Sequence, residues 1–310
     1  MEIKILFKTS KRIHPKFQKI SLGKYIIEPL PVHESGNITA TNRYLLRFED
    51  EIRTGESGSQ PQVEAQLFLS YLSLILGSRL EIDSMMINSV NIPNRNQYTA
   101  YKEYERTLEN LPELDLLLNK LRIKGTDVAR QFLRACEVYR AAVTLIGQNN
   151  TFSFFLFTIA VECLSNKLGE GAGSCEKFID FILKYLPDKT SLQSEEDWKE
   201  LLKEVYYRHR SGFTHGGKEI PEAVDLADSL DRVYVRNVVD GKEVRTPGLK
   251  WFESVVKNSI IGFLMSSEGD SDKNIDHFKE ISLEYGKVML KSKRDLKAHT
   301  IVTAKDVNLD

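Results

Sequence analysis

Cysteine is scarce in this sequence. It occurs three times, as Cys136, Cys163 and Cys175, which is an odd number without a CxxC pair. Small disulfide-stapled proteins carry an even number of cysteines at a much higher density, so that class is excluded. We expect three buried, reduced thiols in a cytoplasmic protein.

Motifs for metals and nucleotides are also missing. None of the six histidines forms an HxxxH or HExxH pair, which gives a zinc site little support. The glycine-rich stretch GEGAGS at 169–174 follows a predicted helix and not a strand, so it is typical of a connector and not of a phosphate-binding loop. We therefore expect no metal and no cofactor.

Long apolar runs are absent as well. A bilayer-spanning helix needs about 20 apolar residues, and the best candidate, from Thr151 to Leu164, is too short and contains Glu162. The first residues, MEIKILFKTSKRIHPKF, begin apolar and then become basic, which is the reverse of a secretory signal. We expect a cytoplasmic protein without a membrane partner.

Net charge is almost zero, because 43 Lys and Arg stand against 44 Asp and Glu in 310 residues. A chain that coats nucleic acid through bulk charge is thereby excluded. Basic residues are nevertheless concentrated in residues 1–24 and between Lys287 and Lys297. Each cluster either guides RNA through phosphate contacts or is simply a solvated face.

Hydropathy patterning divides the chain. Strand-like alternation near the N-terminus and a Leu-rich helical segment from Val63 to Leu76 indicate a small α/β region in residues 1–100, with Glu81 to Ile92 strand-like or irregular. Helical periodicity dominates from about Tyr101. The predicted fold class is α+β, with an N-terminal α/β domain (1–100), a mainly helical domain (101–267) and a partly helical tail (268–310).

The helical domain has a regular order of elements. Thr126 is the expected N-cap of a long helix, Ser194 with Asp197 resembles a capping box, and Asp240-Gly241 predicts the turn of a β-hairpin insertion. The predicted segments are helices at Leu108–Leu121, 126–146, Phe152–Leu168, Phe178–Leu186 and 195 to about 210, a hairpin at Val233–Val244, a helix opened by Pro247, and a tail helix at 275–293.

A dense polar segment at 204–217, EVYYRHRSGFTHGG, follows the buried face of the helix that begins near 195. Arg and His at short spacing suit the cleavage of a phosphodiester. An imidazole can move a proton near neutral pH, and a guanidinium can bind a phosphate through two hydrogen bonds. Taken alone, this signal is weak, because most short Arg/His clusters are solvated surface or charges at a helix C-terminus that the helix dipole favours.

The surrounding pattern resembles the HEPN domains, and specifically their Apea-like branch. The similarity lies in Arg210-Ser211, then three residues, then His215-Gly216-Gly217, together with Glu162 in the upstream helix segment AVECL (160–164). The order of the helices agrees, and the resemblance covers roughly residues 126–267.

This resemblance implies a helical bundle that is often a homodimer, with two Arg/His motifs facing one cleft. Many members look like metal-independent endoribonucleases, acting alone or under a regulatory partner, and several serve in defence against phage. When the roles of the family motif are carried over to this sequence, His215 is the general acid/base and Arg210 binds the phosphate. The RNA 2′-hydroxyl then attacks the adjacent phosphate and leaves a 2′,3′-cyclic end. The alternative is a non-catalytic HEPN module for dimerisation or for binding RNA or protein.

Helical geometry leaves the identity of the arginine open. In one continuous α-helix at about 100° per residue, Arg210 and His215 lie about 140° apart, whereas Arg208 and His215 lie within about 20°. Either the helix breaks near Gly212, which we favour, or Arg208 is the partner.

Five further residues are assigned around this motif. Glu162 is expected to be buried and paired with Arg208 or Arg210, as part of the site or as a lock between two helices. Asn166 and Ser211 are supporting candidates, and Tyr206 and Tyr207 are interpreted as packing residues.

Overall fold

The computed structural model describes residues 2–9, 12–13, 19–30, 32–34, 37–39, 43–49, 60–87, 90–93, 107–108, 113–165, 173–189, 192, 194–211, 234–239 and 242–284. An antiparallel sheet occupies the N-terminal part and helices form most of the rest. This is the α+β arrangement that the sequence predicts.

Twelve strands are described. They are β1 (Glu2–Thr9), β2 (Arg12–Ile13), β3 (Ile20–Leu22), β4 (Tyr25–Pro29), β5 (Val32–Glu34), β6 (Asn37–Thr39), β7 (Arg43–Glu49), β8 (Leu80–Ile87), β9 (Val90–Pro93), β10 (Thr107–Leu108), β11 (Tyr234–Val239) and β12 (Lys242–Pro247). Six of them form one sheet in the order β3-β4-β7-β1-β8-β9, and every neighbouring pair is antiparallel.

The sheet buries one face. Alternate residues of β1 are buried, because successive side chains of a strand point to opposite sides. Helix α1 (Gln60–Leu76) covers this face, and the ring of Phe68 stacks on Tyr25 of β4 at 3.9 Å. On its other side, α1 places Tyr71 6.5 Å from Phe132 of the helical bundle. Burial on both sides explains why α1 is apolar almost all round.

The helical part contains α2 (Leu114–Arg122), α3 (Thr126–Leu145), α4 (Asn150–Ser165), α5 (Ser174–Tyr185), α6 (Glu195–Val205), α7 (Leu249–Met265) and a last described helix at 277–284. Helix α4 lies at the centre and contacts α3, α5 and α7. Aromatic rings fill these contacts, with Phe157 against Tyr139 of α3 and Phe154 against Phe252 of α7. The uniformly apolar α4 is therefore the central helix, as its sequence predicts.

Several predicted boundaries are wrong. Helix α2 begins at Leu114 and not at Leu108, which lies in β10; Pro112 disfavours an α conformation in the residue before it. The N-cap of α3 is Gly125 and not Thr126. The Gly125 N–H donates to the Gly269 carbonyl, which holds this residue outside the helix.

The hairpin and the tail agree better with their predictions. Strands β11 and β12 pair antiparallel, with Val239 opposite Lys242 on the two sides of Asp240-Gly241, so the hairpin is confirmed. The tail contains a helix at 277–284, and the remainder of its predicted span lies outside the described residues.

The buried apolar side chains form one continuous cluster that extends from Ile3 in β1 to Ile281 in the last described helix. A domain boundary near residue 100 stays a prediction. Among the described helices, none combines the length and the apolar character needed to cross a bilayer.

Candidate functional site

Helix α6 carries the Arg/His segment, and its first turn is fixed by Ser194. The Ser194 hydroxyl accepts a hydrogen bond from the Asp197 N–H at 3.1 Å, which is the expected N-cap contact. The helix buries Trp198, Leu201, Leu202 and Val205, as their spacing predicts. This apolar face determines which way the following residues project.

The α-helical pattern ends at Val205, and residues Tyr206–Ser211 form a π-helical turn. Single π turns are rare and occur frequently at functional sites. The 140° separation calculated for Arg210 and His215 depends on residues 212–215, which lie outside the described residues. The break expected near Gly212 lies outside the described residues.

Glu162 is the anchor of this turn. Its side chain projects from α4 and the residue is only 9% exposed. One carboxylate oxygen, Oε1, accepts hydrogen bonds from the Tyr206 hydroxyl at 2.7 Å and from Nε of Arg210 at 3.2 Å. The prediction that Glu162 is buried and pairs with Arg208 or Arg210 is thus confirmed, with Arg210 as the partner.

Tyr206 has a larger role than its interpretation as a packing residue suggests. Its ring packs 5.3 Å from Phe178, and its hydroxyl donates to Glu162. Burial, the hydrogen bond to Glu162 and the charge of Glu162 raise the pKa of Tyr206 to about 12. The phenol therefore keeps its proton at neutral pH and acts as a fixed donor.

The two arginines of the turn are in different surroundings. Arg210 contacts the buried carboxylate and its side chain is 27% exposed. Arg208 forms an ion pair with Glu204 at 3.1 Å on the solvent side of the helix, with 38% of its side chain exposed. A surface pair of this kind contributes little to stability, whereas Arg210 is paired with a nearly buried carboxylate on the central helix.

Tyr207 differs from its prediction as a packing residue. It is 53% exposed, and its ring lies edge-on to Tyr206, with centroids 6.0 Å apart and planes at 89°. Burial raises the pKa of Cys175, and the Tyr207 hydroxyl opposes this shift in part.

Other candidate residues of the site cannot be placed in this geometry. His215 and Asn166 lie outside the described residues, and Ser211 is described only as backbone of the π turn. The described part of the predicted site is accordingly Glu162, Tyr206, Arg208 and Arg210. Within the described ranges, no group of three or more His, Cys, Asp or Glu side chains could hold a metal ion.

Part of the basic N-terminal cluster is neutralised by carboxylates. Lys4 pairs with Glu2 at 2.8 Å and Lys8 with Asp83 at 2.9 Å. Lys24 contacts the buried Glu64 and lies 3.0 Å from Asp276. These pairs favour the interpretation of this cluster as a structural, solvated surface, while the cluster at 287–297 lies outside the described residues.

Comparisons with models of protein families, with curated proteins and with solved structures found no match to this chain.

Proposed function

We propose that this protein is a metal-independent endoribonuclease of the HEPN type, in which Arg210 binds the scissile phosphate and His215 transfers protons. The observation that carries the proposal is the contact of Arg210 with Glu162. A buried carboxylate on the central helix orients a partly exposed guanidinium in the segment that also carries the histidine.

The contact supports catalysis by orienting the arginine before substrate binds. Glu162 engages Nε of Arg210 and receives a second hydrogen bond from Tyr206, which fixes the carboxylate itself. A guanidinium has five N–H donors in a rigid plane, so an anchored Nε directs the rest of that plane. An oriented cation is most effective where negative charge accumulates in a transition state.

The proposed reaction is an internal transesterification. His215 accepts the proton of the RNA 2′-hydroxyl, and the 2′-oxygen forms a bond to the adjacent phosphorus. The bond from phosphorus to the 5′-oxygen breaks, and that oxygen takes up a proton, which leaves a 2′,3′-cyclic phosphate and a 5′-hydroxyl. In a homodimer of the kind that the resemblance implies, two such segments would share one RNA-binding cleft.

The test is cleavage of a mixed RNA by the purified chain in EDTA, with the product ends identified by mass spectrometry. Arg210→Ala is expected to reduce the rate by about 10²–10³-fold, as for loss of a ligand to transition-state charge. His215→Ala is expected to reduce it by about 10²–10⁴-fold. Arg208→Ala is the matched control, because it removes a neighbouring arginine that pairs with Glu204; we expect a change of less than about threefold.

The outcomes separate the proposal from its alternative. Cleavage that His215→Ala leaves unchanged would remove this residue from the mechanism. An inactive parent chain that still binds RNA would favour the non-catalytic HEPN module, with the Glu162–Arg210 pair serving only to lock α4 to the π turn.

A further inference from the structure

Tyr207 is an exposed aromatic residue with a fixed orientation. Three large apolar or aromatic side chains are exposed among the described residues, and Tyr207 is the most exposed of them, at 53%. The ring is nevertheless oriented by its edge-on contact with the buried Tyr206. An aromatic ring that is both exposed and oriented is ready to bind a flat partner without much loss of side-chain entropy.

Two arginines follow this ring in the sequence, and each is paired with a carboxylate, Arg208 with Glu204 and Arg210 with Glu162. Tyr207 precedes Arg208 directly and Arg210 by three residues, and the π turn YYRHRS contains no acidic residue. Arginine beside an accessible aromatic ring is the combination with which proteins bind single-stranded nucleic acid, because the ring stacks on a base and the guanidinium contacts a phosphate.

We propose that Tyr207 is a base-stacking residue for single-stranded RNA. One unpaired base lies against the Tyr207 ring while a phosphate close to it in the same strand contacts Arg210. The inference rests on the proposed function for the role of Arg210, and it adds the substrate class. Bases inside an A-form duplex are stacked on one another, so a double-stranded segment offers no free face to this ring.

A protein surface is the competing partner, since tyrosine and arginine are also enriched at protein interfaces. RNA is favoured because the turn combines the exposed ring with Arg210, whose guanidinium the proposed function assigns to a phosphate, and because the described side chains of the turn include no apolar group of comparable exposure. A contact with a second copy of this chain is treated as an outcome of the test.

The experiment uses the full chain with His215→Ala, so that RNA is not cleaved during the measurement. A short single-stranded RNA that carries 2-aminopurine at one position reports stacking by fluorescence quenching, and anisotropy gives the affinity. Tyr207→Ala is expected to abolish the quenching and to weaken binding by at least about 5-fold, the lower end for losing one stacked base. Tyr207→Phe keeps the ring and is expected to stay within about twofold of the parent.

Leu116→Ala is the control for removing an exposed apolar side chain, because Leu116 is 41% exposed on α2. It is expected to leave quenching and affinity unchanged. Circular dichroism and sedimentation of each variant check the fold and the oligomeric state.

The results distinguish this inference from the proposed nuclease activity. Full quenching and affinity in Tyr207→Ala would overturn the inference and leave a cleaving enzyme intact. Loss of quenching in Tyr207→Ala, with a parent chain that never cleaves RNA, would support stacking and overturn the nuclease. Absence of RNA binding by the parent, or dissociation of a dimer by Tyr207→Ala without a change in RNA affinity, would overturn the inference.

Discussion

At the scale of single residues, Glu162 is the side chain on which the candidate site depends most. It is nearly buried and accepts two hydrogen bonds on one oxygen. Glu162→Ala is expected to lower the free energy of unfolding by about 2–4 kcal/mol, because the Tyr206 hydroxyl and Nε of Arg210 both lose the carboxylate oxygen to which they donate. Glu162→Gln keeps an oxygen for Tyr206 and is expected to cost less. Urea unfolding of the two variants measures both changes in the free energy of unfolding.

Glu204→Gln is the matched control, because Glu204 makes an ion pair with the other arginine on the solvent side. Its effect is expected to stay within about 0.5 kcal/mol. Equal effects of Glu162→Ala and Glu204→Gln would show that the buried carboxylate does not anchor the π turn.

His277 gives a pH-dependent prediction. It is 1% exposed, and its Nε2 lies 2.9 Å from the carbonyl oxygen of Lys124. Burial lowers the pKa of His277, and its contact with the Lys124 carbonyl and the charges of Glu280 and Asp276 oppose this in part. The unfolded chain therefore binds a proton near pH 6.5 that the folded chain takes up only at lower pH.

Stability is accordingly expected to fall as the pH drops from about 7.5 to about 5.5, since the unfolded state binds more protons in this range. His277→Gln retains a donor for the Lys124 carbonyl and cannot titrate, so its stability is expected to change less over the same range. Urea unfolding of both chains at each pH isolates the contribution of His277 from that of Glu64, whose pKa is raised by burial and which acts with the opposite sign. Identical pH profiles would contradict the prediction.

At the scale of elements, the N-cap hydrogen bond of Ser194 stabilises the first turn of α6, the helix that leads into the π turn. The Ser194 hydroxyl both accepts from the Asp197 N–H and donates to the Asp197 carboxylate at 2.8 Å. Ser194→Ala is expected to destabilise the protein by about 1 kcal/mol, and Ser194→Gly by only a few tenths, because glycine is tolerated at an N-cap. A thermal shift for Ser194→Gly as large as for Ser194→Ala would contradict a capping role.

The sequence predicted elements well where one local pattern determines them. Asp240-Gly241 identified the hairpin, and the spacing from Trp198 to Val205 identified the buried face of α6. The π turn could not be predicted from the sequence. In a π turn a backbone N–H donates to the carbonyl five residues earlier, and in an α-helix to the carbonyl four residues earlier. Hydrophobic spacing over only six residues does not distinguish these two patterns.

Side-chain environments in the site were less predictable than its elements. Glu162 was recognisable because a lone carboxylate in an apolar helix requires a partner. The exposure of Tyr207 and the hydrogen bond of Tyr206 depend on how the turn faces α4 and α5, which is a property of tertiary packing. Because Tyr206 and Tyr207 are adjacent and of the same type, the sequence contains no signal that the first is buried and the second exposed.

At the scale of the whole molecule, the segment after α7 connects the two parts of the protein. Lys124 is fully buried, and its amine donates to the carbonyls of Ser266 and Glu268 at 2.5 and 2.9 Å and to Asp270 at 2.6 Å. Farther along, Phe278 enters the contact between the sheet and α1. The segment 266–284 thus touches both the helical bundle and the sheet layer.

Phe278→Ala tests whether the predicted domains at 1–100 and 101–267 unfold separately. Phe278 is 2% exposed and lies 5.5–5.7 Å from Tyr25, Phe68 and Tyr71, ring centroid to ring centroid. Its truncation should cost about 3–5 kcal/mol through the cavity that it leaves. The two tryptophans of the chain, Trp198 and Trp251, stack on each other at 5.6 Å between α6 and α7, so their fluorescence reports the bundle alone.

Because the apolar core is continuous from Ile3 to Ile281, we expect cooperative unfolding. Phe278→Ala should then lower the urea midpoint of the tryptophan signal as much as that of far-ultraviolet circular dichroism, which reports all secondary structure. Leu116→Ala, on the surface of α2, is the control and should shift neither midpoint. A tryptophan midpoint that stays at its parent value, while the circular dichroism transition splits in two, would establish the sheet layer and the bundle as independent folding units.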